Sequence, residues 1–156
     1  MLFKEMAMAA TLWRKFLFAF LLLGVMPMNA QTSVEQSIQG MAHVDYFAFG
    51  GVGYAGSTSK GELYFRRIML EPPDHALALF EELYKTENLQ ARSYALVGIR
   101  ALKPSRFKEL YEGVLTAKGD VTTMQGCMVG SEHFGDIARQ INKGLYDPWL
   151  RAKPRA

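Results

Sequence analysis

Residues 74–102, DHALALFEELYKTENLQARSYALVGIRAL, decide the fold. Two amphipathic runs stand end to end there, separated by Thr86-Glu87-Asn88. In the first, Leu77, Phe80, Leu83 and Tyr84 recur at three- and four-residue spacing, and Glu81, Glu82 and Lys85 fall outside that stripe. This is the period of a helix that buries one face. Asp74 is placed to cap it, His75 to about Lys85. Asn88 is placed to cap a second helix, Leu89 to Leu102, with Ala91, Ala95, Ile99 and Leu102 as its apolar stripe. Pro72-Pro73 upstream and Lys103-Pro104 downstream bound the pair, because proline lacks a backbone donor and clashes inside a helix. Neither helix is stable alone at this length, so each requires a neighbour. The short connection makes that neighbour antiparallel.

The same grammar extends outward in both directions. Ser59 followed by Glu62 three residues later has the form of a capping box for Lys60 to Leu70, where Leu63, Tyr64, Ile68 and Leu70 are apolar. Ser105 opens another helix, with Phe107, Leu110, Tyr111 and Val114 facing inward. Ser131 is placed to cap a last one, with Phe134, Ile137, Ala138 and Ile141 in register and Gly144 as its stop. The expected fold is mainly α, four to five short antiparallel helices. Two stretches break the pattern. Residues 44–56 are rich in glycine and aromatics, and predict an irregular or short β segment. Residues 121–129 are rich in β-formers, and could pair with the first stretch as a small cover.

The chain has 156 residues, 49% hydrophobic and 21% charged, with a single Cys. That is one domain's worth of protein, without a disulfide framework or a Cys-rich zinc module. Its first thirty residues differ from the rest. Lys4, Arg14 and Lys15 precede an unbroken apolar run from Phe16 to Val25, and Ala30 offers a small residue at the exit. These are the parts of a secretory signal peptide, and the run is shorter than the ~20 residues of a membrane span. Residues 1–30 hold three of the 18 basic and one of the 15 acidic residues, so the remainder carries +1. A body so nearly neutral removes the charge-based case for a nucleic-acid partner, and none is expected. The expected organisation is a signal peptide over 1–30, an N-terminal Gly/aromatic-rich segment over 31–58, a helical domain over 59–147 and a basic C-terminal tail over 148–156. The expected location is periplasmic or extracellular, with membrane contact only through the signal peptide before cleavage.

The run Ala76-Leu77-Ala78-Leu79-Phe80-Glu81-Glu82-Leu83, followed by Ala91-Arg92-Ser93-Tyr94-Ala95-Leu96-Val97-Gly98-Ile99, resembles a HEAT-type helical pair. The resemblance covers under a quarter of the chain. It implies stacked antiparallel helices in the middle of the fold. The chain as a whole is similar to small secreted bacterial proteins of unassigned function, a likeness that carries no site residues with it.

Four patterns have the form of chemistry. Gly51-Val52-Gly53-Tyr54-Ala55-Gly56 matches G-x-G-x-x-G, but no βαβ unit follows, so its glycines read as turn or close-packing residues. Ser57-Thr58-Ser59-Lys60 matches S-x-x-K, in which Lys60 would activate Ser57, yet no S-D-N or K-T-G partner is present. Cys127 has His133 six residues on as a candidate base, with Asp136 to orient it. His43, His75, His133, Asp45 and Cys127 lack any recognisable ligand spacing, so no metal and no cofactor is expected. Among the aromatics outside the stripes, Phe47 and Phe49 read as buried, and Tyr54, Tyr146 and Trp149 as binding residues. The resulting expectation is an exported, non-enzymatic helical module that binds another protein, with an inhibitor or immunity-type protein as a subclass. The alternative is a small extracytoplasmic hydrolase with Ser57 or Cys127 as nucleophile.

Overall fold

The computed structural model describes residues 33–151. The signal peptide expected over 1–30 lies outside the described residues, as do positions 152–156 of the basic tail. The architecture is mainly helical, with two small antiparallel hairpins. In chain order the elements are α1 (Val34–Ala42), β1 (Gly51–Val52), β2 (Ser57–Thr58), α2 (Lys60–Ile68), α3 (Pro73–Tyr84), α4 (Leu89–Leu102), α5 (Pro104–Leu115), β3 (Asp120–Gln125), β4 (Met128–His133), α6 (Phe134–Asn142) and α7 (Asp147–Arg151).

Helices α2 to α6 are those expected from the apolar stripes, and α1 and α7 flank them. α1 opens on a capping box that the stripe reading passed over. Ser33 Oγ accepts the Gln36 N–H, and the Gln36 side chain accepts the Ser33 N–H, each at 3.1 Å. Three expected caps differ. Asp74 lies inside the first turn of α3, which begins on Pro73 with no side-chain cap. Proline at a first helical position removes one of the donors a cap would satisfy. α5 likewise begins on Pro104, with Ser105 inside it. Ser131 caps nothing: it sits in β4 opposite Thr122, and α6 starts after His133.

α4 is the centre of the fold. Ala91, Ala95 and Ile99 of its expected stripe are buried, and so are Ser93, Tyr94, Leu96, Val97 and Gly98. Helices α2, α3, α5 and α6 and strand β3 all pack on it. A helix buried over most of its circumference must be apolar or small over most of it. Gly98 shows how close the approach is, since a Cβ there would lie 2.4 Å from the Phe80 ring. Arg92 reaches out of this helix between the Tyr84 and Phe134 rings, 4.9 and 4.8 Å from their centroids.

The two stretches that broke the helical pattern are neighbours. The Phe47 N–H donates to the Thr122 carbonyl (2.8 Å), the Met124 N–H to the Phe47 carbonyl (3.3 Å), and the Gly53 N–H to the Gly126 carbonyl (2.8 Å). Phe47 and Val52 thus form parallel bridges with Thr123 and Gly126. Five residues on one side span what three span on the other, so the chain between leaves β3 and turns inward. Its buried backbone groups need partners there. The Tyr94 hydroxyl accepts the Ala48 N–H (2.9 Å) and donates to the Ala48 carbonyl (2.7 Å). Ser59 Oγ donates to the same carbonyl (3.0 Å) and accepts the Glu62 N–H (3.0 Å). The Glu62 carboxylate takes the Gly50 N–H (2.7 Å) and the Arg66 guanidinium (2.9 and 2.6 Å). Ser59 therefore caps α2 as expected, but Glu62 faces Gly50 and Arg66 instead of completing the box. Around this network Phe47, Phe49, Phe65 and Tyr94 meet edge to face or tilted, with centroids 4.8–6.3 Å apart, the geometry aromatic pairs prefer.

Burial pushes the Tyr94 phenol well above its ordinary value near 10, against the opposing hydrogen bonds of Ser59 and Ala48. Tyr94→Phe keeps the ring and leaves the buried Ala48 N–H without its acceptor. Urea unfolding should show a loss of about 1–3 kcal/mol at neutral pH. Below about pH 10 the phenol is neutral in both states; above it only the unfolded chain ionises, so Tyr94 erodes stability as pH rises. Between about pH 10 and 11 the wild type should therefore lose about 1 kcal/mol more than Tyr94→Phe loses.

Candidate functional site

The β3–β4 hairpin carries the site. Gly126 and Cys127 join its strands, and Gly126 has φ +55°, the left-handed backbone needed at the first central position of such a two-residue turn. Side chains alternate along each strand. One face therefore holds Val121, Thr123 and Gln125 with their cross-strand partners Glu132, Gly130 and Met128. Val121 is buried against the helices. Thr123, Gln125 and Glu132 are polar and Gly130 has no side chain, so this face cannot close on the body as a dry core. A cleft of about 480 Å³ remains, walled by those three hairpin residues and by Phe49, Tyr146 and Trp149.

The end of α6 positions the far wall. The Gly144 N–H bonds the Ile141 carbonyl (3.0 Å) and the Leu145 N–H bonds the Gln140 carbonyl (3.2 Å), the paired closure of a Schellman stop. The chain then turns into α7, anchored by Arg100 on Asp147 at 2.5 Å and by Arg66 on the Trp149 carbonyl at 2.9 Å. Trp149 lies over Gly50, where a Cβ would come within 2.9 Å of the indole. Tyr146 packs on Phe47 at 5.1 Å, and its hydroxyl donates to Gln140 Oε1 at 2.7 Å. Gln140 Nε2 in turn donates to Glu132 Oε2. Burial raises the Tyr146 phenol, and the negative charge of Glu132 raises it further.

The expected reactive groups are not brought together. Ser57 is exposed in β2, so it and Lys60 do not share a helical turn as S-x-x-K activation requires. Lys60 instead borders a separate depression of about 210 Å³ with His43, Asp45, Tyr46 and Tyr64. Cys127 is exposed at the hairpin turn, and His133 stands at the other end of β4, roughly 17 Å away at ~3.4 Å per residue. His133 pairs with Asp120 at 2.7 Å, and Asp136 pairs with Arg139. Among the described residues no three His, Cys, Asp or Glu side chains converge as a metal site would need. In the G-x-G-x-x-G stretch, Gly53 and Gly56 have positive φ, and a Cβ on Gly51 would meet the Gly56 carbonyl at 2.8 Å, as turn glycines should. Of the three expected binding residues, Tyr54 is fully exposed, and Tyr146 and Trp149 are half-buried walls of the cleft.

Glu132, Gln140, Thr123 and Gln125 were missed. Their signal is the alternation through 120–133 about a Gly-containing two-residue turn, which reads as a hairpin once Ser131 is not assigned to a helix cap. Compared with family models, with curated proteins and with solved structures, the chain matches none.

An exposed thiol with no base beside it reacts at its intrinsic rate. Iodoacetamide should modify Cys127 in the native protein within about threefold of its rate in denaturant. A fluorophosphonate should leave Ser57 unlabelled. Stoichiometric labelling of either residue that depends on the fold would restore the hydrolase reading.

Proposed function

We propose that the protein is an exported, non-enzymatic module that binds another protein, with its contact surface on the two adjoining hairpin tips. One observation carries this reading. Tyr54, Met128 and Val129 are 102, 72 and 66% exposed, and the Gly53-to-Gly126 hydrogen bond places the β1–β2 turn beside the β3–β4 turn. Large apolar side chains left in water at two adjoining turns, with Met128 and Val129 on opposite faces of their hairpin, bury little within the chain, and exposed apolar surface of this kind marks interaction sites. Tyrosine there offers large contact area at low cost in conformational entropy. A narrow apolar tip on a rigid base also suits entry into a partner's concave site, which supports the inhibitor or immunity subclass. Export rests on the basic start and apolar run of residues 1–30.

Affinity capture from the exported fraction tests the proposal. A protein retained by the wild type should fall about tenfold or more with Tyr54→Ser combined with Val129→Thr, a loss in the hot-spot range. Leu70→Ser, an equally exposed apolar position on the α2–α3 connection, should leave capture unchanged. Equal loss in both variants, or in neither, would overturn the assignment of the tips.

A further inference from the structure

The cleft beside the tips has walls whose chemistry is specific. Glu132 is a half-buried carboxylate whose one hydrogen-bond partner among the described residues is the Gln140 amide, and none of the ion pairs among those residues includes it. Arg139 and Lys143 border an open depression that Glu132 shares, but Arg139 is engaged by Asp136. The amide of Gln140 is held at both ends, its oxygen by the Tyr146 hydroxyl and its nitrogen by Glu132. That chain of bonds holds the carboxylate in place, and among the described residues Oε1 has no donor. The rings of Phe49, Tyr146 and Trp149 line the same cleft.

A carboxylate with no ion-pair partner among the described residues, in one cleft with aromatic rings, is the complement of an organic cation. The guanidinium fits better than an ammonium, because its plane stacks on rings while its edge donates to a carboxylate. The chain already holds one guanidinium by such stacking, Arg92 between Tyr84 and Phe134. We propose that this cleft receives an arginine side chain of the partner polypeptide, with the guanidinium on Glu132 and its flat face against the Tyr146 and Trp149 rings. A volume of about 480 Å³ exceeds one side chain and leaves room for flanking peptide. The inference takes its occupant from the binding-module reading. Its test reads the cleft alone, so failure here leaves the tip result standing.

The test is a ¹H–¹⁵N NMR titration of the full chain with the peptide acetyl-Gly-Arg-Gly-amide, its citrulline counterpart and spermidine. The arginine peptide should give saturable shifts at the Thr123, Glu132 and Gln140 amides and at the Trp149 indole. Citrulline, the neutral isostere, should bind about tenfold more weakly or not at all. Glu132→Gln should lose the arginine response by about the same factor while the rest of its spectrum stays native. Should that variant fail to fold, the arginine-to-citrulline comparison still decides. Equal response to both peptides, no saturable shift up to about 10 mM, or shifts spread over surface carboxylates would overturn the proposal. Tighter binding of spermidine at the same amides would overturn it in favour of a free polyamine site.

Discussion

The hydroxyl of Tyr94 satisfies both backbone groups of Ala48 at once, and the arrangement of the other elements follows from that bond pair. The segment Phe47 to Gly50 packs its aromatic rings in or against the core, but its peptide groups make no regular ladder of their own. It must lend its peptide groups to something already rigid, or leave them unpaired at a cost of about 1–3 kcal/mol each. α4 supplies the rigid partner because four helices and β3 pack on it. Its phenol fixes Ala48, Ser59 fixes the same carbonyl from the start of α2, and Glu62 fixes Gly50 two residues on. Arg66 then carries the constraint from Glu62 to the backbone of α7. Four segments, the Ala48–Gly50 stretch, α2, α4 and α7, are thereby held by one polar network. Such a network specifies a single arrangement, since a half-satisfied version of it would be worse than an apolar core.

Much of this fold is legible in the residues, and the reasons differ from helix to helix. The α6 stripe of Phe134, Ile137, Ala138 and Ile141 is buried throughout, because that helix has one face on the core and one in water. α4 was read as amphipathic from four small or aliphatic residues, and Ser93, Tyr94, Leu96, Val97 and Gly98 outside that stripe are buried as well. Periodicity reports the number of faces a helix hides, and it loses contrast when all of them are hidden. Tyr94 and Ser93 look like the polar side of α4 in the sequence, yet both are inside. The pair Ser59 and Glu62 illustrates the same limit. The spacing is that of a local box, but Gly50 offers Glu62 a buried donor from twelve residues away, and a long-range partner of that kind leaves no trace in local spacing.

The site was legible in parts. Tyr54 stands free because a turn with positive-φ glycines on both sides, at Gly53 and Gly56, offers it nothing to pack on. Tyr146 and Trp149 were recognised as lying outside the helical stripes, and they form a wall. The opposite wall was hidden by Ser131. Its type and its place before an apolar stripe favour a helix cap, and that assignment cuts β4 short of Glu132. Pairing with Thr122 overrode the local preference, as sheet register generally does once one strand of a hairpin is anchored. β3 is anchored firmly, with Phe47 on its outer edge and Val121 in the core.

A single hairpin can present two surfaces because its two ends are built to different rules. At the Asp120 and His133 end, Val121 and the start of α6 tie the strands into the helices. At the Gly126 end only the β1–β2 turn adjoins the hairpin among the described residues, and Met128 and Val129 meet water. Between them, polar residues on the inward face prevent collapse against Phe49 and Tyr146. An apolar residue at 132 would permit that collapse and convert the cleft into core. The carboxylate there is therefore more than a charged group at an edge: it keeps the space open. The same charge, held in place by Gln140, also decides what can fill that space favourably. An apolar group would strip water from Glu132 without replacing it, whereas a cation restores the lost interactions as it enters.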